Sequence, residues 1–424
     1  MYIRSVRGLR VVARRVSALA LASGLAACQL LLPTVEGEPA TAPDAGALDT
    51  GGKLDAALSD STIPDARTPD STVSDSATSD STVTDGGPPN DATAGPDADA
   101  CAHVTVPPPP TQDSPGTQSI TFVAALRTVT GIEPGQSVGP GIGFDLDGVC
   151  TCPAPPSCRS PVMPANPNCD MTGGRDLQGD PLIEVFEESF ASSGGDITNR
   201  IEQGRLTLLA VVSDYNGGPD DTQVTVSVYD SSGLHDPDGG AVVPPAWNGN
   251  DEWNVDPTSS VVSSLTDAGW QYTPVYFTTT AYVTGNTLVA SLDAIPFQLD
   301  FATILFRSFV ASATIAVDAN GRYGLAGTFG ARIDTNDIFT LLGRLQDGDA
   351  GFLCGTDPAF LQLRGIVCQA SDIMSSPSED NTNAVCDSVS LGVGFTASPA
   401  ALGGPVPGQM SPYGCDGAVY TCTP

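Results

Sequence analysis

The chain has 424 residues, of which 49 are acidic and 17 are basic, giving a formal net charge of −32 at neutral pH. A surface this acidic repels nucleic acid and anionic lipid headgroups, so neither is expected to be a direct partner of the polypeptide. Serine-triad catalysis is also poorly supported, because it needs a histidine base and the chain has only two histidines, His103 and His235.

Residues 1–27 have the composition of an export signal: five arginines and no acidic residue, with an apolar run at 16–27 that is too short to span a bilayer. The run ends in a stretch that resembles a bacterial lipobox, namely Leu25, Ala26, Ala27 and Cys28. This motif predicts that Cys28 is acylated and anchors the mature chain to a membrane. Gln29 after it, rather than Asp, favours the outer membrane. The alternative is ordinary signal cleavage that leaves Cys28 as a free thiol.

Residues 28–100 are predicted to be a disordered tether. They contain no aromatic residue, and an aspartate returns about every five residues from Asp44 to Asp91. This period matches neither a helix nor a strand, and the segment has too little apolar surface to offset the entropy lost on ordering. A calcium-binding repeat is the alternative, but the evenly spaced single aspartates lack paired ligands and a turn glycine.

The cysteines other than Cys28 are even in number, which in an exported chain predicts a disulfide framework of up to five bridges. The sequence does not give the connectivity. The set is Cys101, Cys150, Cys152, Cys158, Cys169, Cys354, Cys368, Cys386, Cys415 and Cys422. Zinc fits poorly, because Cys150 and Cys152 are only one residue apart and neither histidine stands near a cysteine pair.

Strand patterns dominate the predicted globular domain, residues 101–424. Residues 206–212 are almost continuously apolar, as in a strand covered on both faces, and alternation follows at 223–228 after a polar loop. Two hairpins are also predicted, the first at 276–292 around Gly285 and Asn286, the second at 313–331 around Asn320 and Gly321. The domain is therefore predicted to be mainly β, an antiparallel sandwich of jelly-roll or lectin-like type.

Two short helices complete the prediction. The first begins at Asp180 and Pro181, and the second is capped by Thr335 and ends at Gly348. The apolar stripe of the second is predicted to contact the core and consists of Ile338, Leu341, Leu342 and Leu345. Residues 354–422 are expected to form a loop-rich wrap that disulfides fasten over the sheet.

An aspartate-rich segment around the first cysteine group is the candidate metal site. Asp145 and Asp147 precede Gly148, and Asp170 and Asp176 follow within the same cysteine-pinned loop. Carboxylates and carbonyls in such a loop suit Ca²⁺, which takes six to eight oxygen ligands. The pattern loosely resembles thrombospondin-type aspartate and cysteine repeats. A second candidate loop contains Asp214, Asn216, Asp220 and Asp221.

Two other interpretations of these aspartates stay open. Residues 144–149 also resemble the first motif of haloacid-dehalogenase-like phosphatases, but no buried strand precedes them and no lysine follows them in the chain. The simpler interpretation is a polar disulfide loop whose aspartates cap turns.

Residues 247–253 form the candidate ligand site. Aromatic rings flanked by amide and carboxylate groups can stack on and hydrogen-bond to a sugar, and the residues proposed for this role are Trp247, Asn250, Asp251 and Trp253. The alternative is a loop between strands whose tryptophans plug the edge of the sandwich.

The segment from about Phe144 onward resembles a family of uncharacterised exported lipoproteins from myxobacteria and their relatives. Four stretches carry this resemblance: 145–152, 169–176, 247–251 and 386–397. Because that family has no established activity, the resemblance implies an extracytoplasmic location and the extent of the domain, and no catalytic residue.

These features together predict a lipid-anchored cell-surface module that binds a glycan or a surface protein, or serves as a structural element, with Ca²⁺ stabilising the fold. The alternative is an extracytoplasmic carbohydrate-active enzyme of glycosidase or lyase type. A deep cleft with two facing carboxylates would favour the enzyme, whereas a shallow aromatic patch would favour the binding module.

Overall fold

The computed structural model describes residues 102–116, 118–131, 142–152, 154–163, 168–179, 182, 197–236, 240–267, 269–299, 302–345, 352–408, 414–415 and 420–422. All of these residues belong to one compact unit, Pro89–Pro424. The predicted signal peptide, Cys28, the predicted tether and Cys101 lie outside the described residues, as do Asp180, Pro181 and Gly348.

Strands dominate the described residues. In chain order they are β1 (Ile120–Thr130), β2 (Thr207–Tyr215), β3 (Asp221–Gly233), β4 (Glu252–Val255), β5 (Ser260–Thr266), β6 (Gly269–Pro274), β7 (Tyr276–Thr284), β8 (Thr287–Leu299), β9 (Ala302–Val317), β10 (Tyr323–Asp334), β11 (Ser388–Pro399) and β12 (Ala401–Pro405). The helices are α1 (Ile197–Glu202), α2 (Thr335–Leu342) and α3 (Pro358–Ala370), with single 3₁₀ turns at Pro257–Ser259 and Pro377–Glu379. None of the described helices is long and apolar enough to cross a bilayer.

Eight strands form an antiparallel sheet that closes on itself, and β3 makes the closure. One edge of β3 pairs with β2 and the other with β7, where Val226 lies opposite Thr278. From β2 the order continues through β1, β11, β10, β9 and β8 to β7, and every one of these pairs is antiparallel. The closed sheet brings opposite strands face to face over one core, so the mainly β, antiparallel fold class is confirmed.

The remaining strands lie outside this closed part. β4 pairs with the far end of β3, and β12 pairs with β4 in parallel, which makes the ten-stranded sheet mixed. β5 and β6 form a separate hairpin.

Turn chemistry explains the hairpin between β7 and β8. Thr284 and Thr287 are paired, so only Gly285 and Asn286 form the connection. Both have positive φ, 56° and 65°, which a two-residue turn of type I′ requires and which glycine and asparagine tolerate best. The hairpin predicted at this position is confirmed.

Apolar residues pack on both faces of β1, β2 and β3. Inside the closed sheet, Ala124 and Val212 belong to the main core, while Ala125 and Leu209 point outward to a smaller cluster with Trp253. Because both faces of β2 are covered, its sequence is almost continuously apolar, as predicted for residues 206–212.

The helices differ in part from the prediction. Asp334, not Thr335, caps α2 by accepting a hydrogen bond from the Asn336 amide at 2.8 Å, and the helix ends at Leu342 with Gly343 as its C-cap. Of the first predicted helix the structure describes Leu182, which is helical. Helix α3 and strands β11 and β12 lie in the region expected to be loop-rich, so that expectation is corrected: β11 is a central strand between β1 and β10.

The nine described cysteines are all disulfide-bonded. Four bridges lie wholly within the described residues: Cys152–Cys169, Cys158–Cys386, Cys354–Cys415 and Cys368–Cys422. Cys158–Cys386 spans 228 residues and fastens the aspartate-rich segment to the chain just before β11. The last two bridges hold residues 415 and 422 against the α2–α3 region, as the predicted C-terminal wrap requires.

Candidate metal centre

The candidate centre is built by two loops that lie against β10 and β11. The first loop, 142–150, approaches β11 so closely that a Cβ at Gly392 would lie 2.7 Å from the Gly143 Cα. The second loop, 168–179, ends in two amides that donate to Ser390: Gln178 to its Oγ at 3.0 Å and Gly179 to its carbonyl at 2.7 Å. Glycine at the contact and a serine on the strand therefore fix both loops on the sheet.

Asp170 and Asp176 join the two loops to each other. The Asp176 amide donates to the Phe144 carbonyl at 3.0 Å, and its carboxylate accepts from the Leu146 amide at 2.6 Å. The Asp170 carboxylate accepts from the Thr151 amide at 2.5 Å, beside the Cys152–Cys169 bridge. Part of each carboxylate is thus used in holding the loop, which supports the turn-capping interpretation for part of their function.

Three of the four predicted ligands converge on one point. One carboxylate oxygen of each of Asp145, Asp147 and Asp176 lies within 4.8 Å of the others. Asp145 is also in contact with His103 Nδ1, and the Asp145 side chain is 1% exposed. Cys150 lies beside His103, but as a disulfide sulfur it cannot serve as a thiolate ligand.

A fifth carboxylate, Asp372, comes from the chain after α3. Its two oxygens accept from the Ser390 amide at 2.9 Å and the Ser390 hydroxyl at 2.5 Å. We call Asp145, Asp147, Asp170, Asp176 and Asp372 the carboxylate cluster. Sequence reasoning missed Asp372 because it lies about 200 residues away in the chain, and only the contact of its segment with β11, where Ile373 pairs with Ser388, brings it to the loops.

Burial and mutual repulsion raise the pKa of several members of the cluster. Burial raises the pKa of Asp170 to about 7, with repulsion from Asp147 and Asp372 adding to it. Burial likewise raises the pKa of Asp372 to about 7, although hydrogen bonds from Ser390 act against it. The pKa of Asp176 is raised well above its usual value, first by burial and then by the charges of Asp147 and Asp372. The pKa of Asp147 is raised as well, chiefly by burial.

The nearest buried arginine does not neutralise these carboxylates. Arg332, on β10, is 0% exposed and forms a two-point ion pair with Asp380 at 2.8 and 2.9 Å. The two terminal nitrogens also donate to the carbonyls of Met374 at 2.8 Å and Leu146 at 2.6 Å, while Nε is buried without a partner among the described residues. Arg332 therefore positions the loop that carries Asp145 and Asp147, while its charge is balanced by Asp380.

This arrangement suits a hard divalent cation. Carboxylate oxygens crowded together at a buried point repel one another unless protons or a cation screen them. Ca²⁺ accepts an irregular set of carboxylate and carbonyl ligands, whereas Mg²⁺ demands near-ideal octahedral geometry. The phosphatase interpretation gains no support, because Asp145 and Asp147 lie in an irregular loop against an antiparallel sheet rather than after a buried strand.

The second predicted metal loop is a set of turn caps. The Asp221 carboxylate accepts from the Asn216 amide at 2.7 Å, and Asn216 Oδ1 accepts from the Gly218 amide at 2.7 Å. Asp220 accepts from the Gly285 amide at 2.9 Å, which joins this loop to the β7–β8 turn. Asp214 accepts from the Thr225 hydroxyl at 3.3 Å.

The predicted sugar-binding residues are mostly internal. Trp253 is 0% exposed, and its ring packs against Trp247 at a centroid distance of 5.7 Å. Asp251 is buried and accepts from the amides of Ala246 and Trp247 at 3.0 and 2.7 Å. The expectation for Trp253 and Asp251 is therefore corrected: they hold the loop on the outer face of the sheet, as the plugging alternative required. Asn250 remains exposed and accepts from Arg322 at 3.2 Å.

A polar cavity of about 500 Å³ lies beside β8 and β9. Its described lining contains one carboxylate, Asp293, together with Arg307. A glycosidase needs two facing carboxylates, so this cavity does not favour the enzyme alternative.

The chain matched none of the protein-family models, curated proteins or solved structures with which it was compared.

Proposed function

We propose that this protein is an exported, lipid-anchored binding or structural module whose folded domain is stabilised by Ca²⁺ at the carboxylate cluster. The observation that carries the calcium assignment is the convergence of Asp145, Asp147 and Asp176 within 4.8 Å. The raised pKa values of the surrounding aspartates support it, because burial and mutual repulsion disfavour their charged forms and a bound cation would compensate for both.

Export and anchoring are supported from two directions. The N-terminal charge pattern and the lipobox-like stretch ending at Cys28 predict secretion and acylation. The disulfide framework of the folded domain is typical of an oxidising compartment. We place the protein outside the cytoplasm, at the outer membrane or cell surface, where it would meet a glycan or a surface protein.

Calcium would act there as a further crosslink. The cluster joins the first loop, 142–150, the second loop, 168–179, and the chain between α3 and β11. None of these three described segments forms a regular strand or α-helix of its own. Binding to the folded chain alone stabilises it by about 2.7 kcal/mol when free Ca²⁺ is 100 times its dissociation constant. Extracellular calcium modules have dissociation constants of about 10⁻⁴ to 10⁻³ M, so millimolar Ca²⁺ is the relevant range.

Thermal unfolding in 10 mM CaCl₂, 10 mM MgCl₂ and EGTA tests this proposal. The full chain carrying Cys28→Ser would be used, so that no detergent is present. We expect the melting temperature to rise in Ca²⁺ above its value in EGTA, and to rise less in Mg²⁺.

Two variants show where calcium acts. Asp147→Asn should remove most of the calcium-dependent rise, because asparagine keeps the acceptor for the Val149 amide but loses the charge. Asp318→Asn, in the β9–β10 turn, is the matched control and should keep the full rise. Equal melting in Ca²⁺ and EGTA would overturn the calcium assignment, as would an undiminished rise in Asp147→Asn.

A further inference from the structure

The interior of the closed sheet contains unfilled apolar space. One cavity of about 80 Å³ lies among the strands, and a second of about 90 Å³ lies toward α1 and α2. We call them the upper and the lower cavity. Leu126, Leu208 and Phe329 line both, so the two cavities adjoin.

Alanines create the upper cavity. Strands on opposite sides of the closed sheet place small side chains toward its centre, namely Ala124, Ala210, Ala290, Ala311, Ala313 and Ala397. A closed sheet of eight strands is just wide enough for its interior to be filled by larger side chains or to hold one small ligand. Native interiors contain few voids larger than a water molecule, and each such void lowers stability. So many alanines facing one space therefore leave room that the residues described by the structure do not fill.

The lining excludes water as the natural occupant. Every described residue that lines either cavity is apolar, including Phe309 and Phe395 above and Phe297 and Phe306 below. A buried water needs two to four polar partners, and an engineered apolar cavity of about 150 Å³ in another protein stays dry and binds benzene. Space of this kind favours a hydrocarbon.

The lower cavity extends the space toward the helices. Ile197 of α1, with Ile338 and Leu341 of α2, lines it together with Leu182. The two cavities thus run in succession past Phe329, from the strand-lined interior to the helix-lined side. This succession fits an unbranched chain better than a bulky ring system.

We propose that the closed sheet binds one small aliphatic molecule, a single alkyl chain, in the upper and lower cavities. This proposal names the class of ligand that the binding module would take, and it rests on the proposed function only because it assumes that the domain is a binding module. The cavities share no residue with the carboxylate cluster. Failure of one proposal therefore leaves the other measurable.

Titration calorimetry with 1-octanol tests the proposal, on the full chain carrying Cys28→Ser, without detergent and in Ca²⁺-containing buffer. We expect one octanol per chain and a higher melting temperature in its presence. Ala311→Leu fills the upper cavity and should weaken binding at least tenfold. Ala316→Leu, exposed on the same strand, is the matched control and should bind as the parent does.

A second variant and a crystallographic measurement test the proposal if Ala311→Leu does not fold. Ala210→Leu fills the same cavity from β2 and should weaken binding similarly. Crystals under xenon pressure should show xenon beside Ala311 and Phe329. Absence of octanol binding to the parent chain would overturn the proposal. So would unchanged binding in a folded filling variant, or an equal loss in Ala316→Leu. The calcium-dependent melting of the parent chain reports separately on the carboxylate cluster.

Discussion

Replacing Arg332 by methionine should cost more stability than any surface charge change in this protein. The guanidinium is completely buried and makes four hydrogen bonds, two to the Asp380 carboxylate and one each to the carbonyls of Met374 and Leu146. Methionine fills similar space but leaves the Asp380 carboxylate, whose side chain is 11% exposed, without its partner.

The expected loss follows from that geometry. Removing one partner of a buried ion pair costs about 3–5 kcal/mol, because the remaining charge stays buried and uncompensated. At about 2 °C per kcal/mol, the value for larger domains, Arg332→Met should lower the melting temperature by about 6–10 °C. Arg332→Lys keeps the charge but not the two-point geometry, so it should lose an intermediate amount.

Arg307 supplies the control for this experiment. It lies directly opposite Arg332 in the β9–β10 register and pairs with Asp337 at 3.3 Å, but its side chain is 35% exposed. Exposed ion pairs contribute about 0–1 kcal/mol, so Arg307→Met should lower the free energy of unfolding by no more than about 1 kcal/mol.

Urea unfolding without a reducing agent, so that the disulfides stay intact, measures these losses when it is followed by tryptophan fluorescence. The cycle of Arg332→Met, Asp380→Asn and the double variant should show a double-variant loss smaller than the sum of the single losses, because the second change removes the unpaired charge. A loss below about 1 kcal/mol in Arg332→Met, or strict additivity in the cycle, would refute the reasoning.

Three further predictions concern the cluster, the disulfides and the tryptophan loop. In EGTA, the melting temperature should fall as pH rises from about 4 to about 7. Asp170 and Asp372, with pKa values raised to about 7, still hold protons in the folded chain that the unfolded chain has already released. Ca²⁺ should reduce this fall, and melting temperatures that rise with pH in EGTA would contradict the prediction. Replacing Cys158 and Cys386 by alanine should lower the free energy of unfolding by about 5 kcal/mol, the value of the loop-entropy model for a separation of 228 residues. Urea unfolding measures this loss, and a loss under about 1 kcal/mol would show that the loops are held without the bridge. Asp251→Ala removes the acceptor of two amides in the tryptophan loop and should lower the free energy of unfolding by about 1–3 kcal/mol. The near-ultraviolet circular dichroism signal of the paired tryptophan rings should weaken, and an unchanged signal would argue against this function of Asp251.

Local sequence patterns predicted the parts of the fold that local chemistry determines. Gly285 and Asn286 gave the β7–β8 turn because their positive φ values are available to few other residues. The apolar run of β2 indicated cover on both faces, which the packing shows. The aspartates of the two loops were grouped because they share one disulfide-linked stretch of chain, and three of them, Asp145, Asp147 and Asp176, converge in the structure.

The parts that were missed depend on partners far away in sequence. β11 contains Gly392 and Gly394, which weaken strand propensity. The structure requires them because a Cβ at these positions would meet Leu177 Cδ2 at 2.2 Å and Thr130 Oγ1 at 2.3 Å. No periodic pattern signals a glycine that is needed for such long-range contact.

The tryptophan loop shows the same limitation. Residues suited to sugar stacking are also suited to filling an outer cluster, and only the tertiary packing decides between the two. In the structure, Trp253 is fully buried among Tyr229, Val255 and the strands of the closed sheet. Asp372 and Arg332 gave no local signal at all, because Asp372 reaches the carboxylate cluster through its contacts with β11 and Arg332 contacts the Asp145 loop from β10.

Titration calorimetry with CaCl₂ at pH 7.5 tests the central claim most directly. We expect one Ca²⁺ per chain, with proton release that is measurable by repeating the titration in buffers of different ionisation enthalpy, because carboxyls with raised pKa must lose protons on binding. Asp176→Asn keeps the acceptor for the Leu146 amide and should lose the binding. A parent chain that gives no binding heat up to 10 mM CaCl₂, or an Asp176→Asn variant that binds as tightly as the parent, would contradict the account.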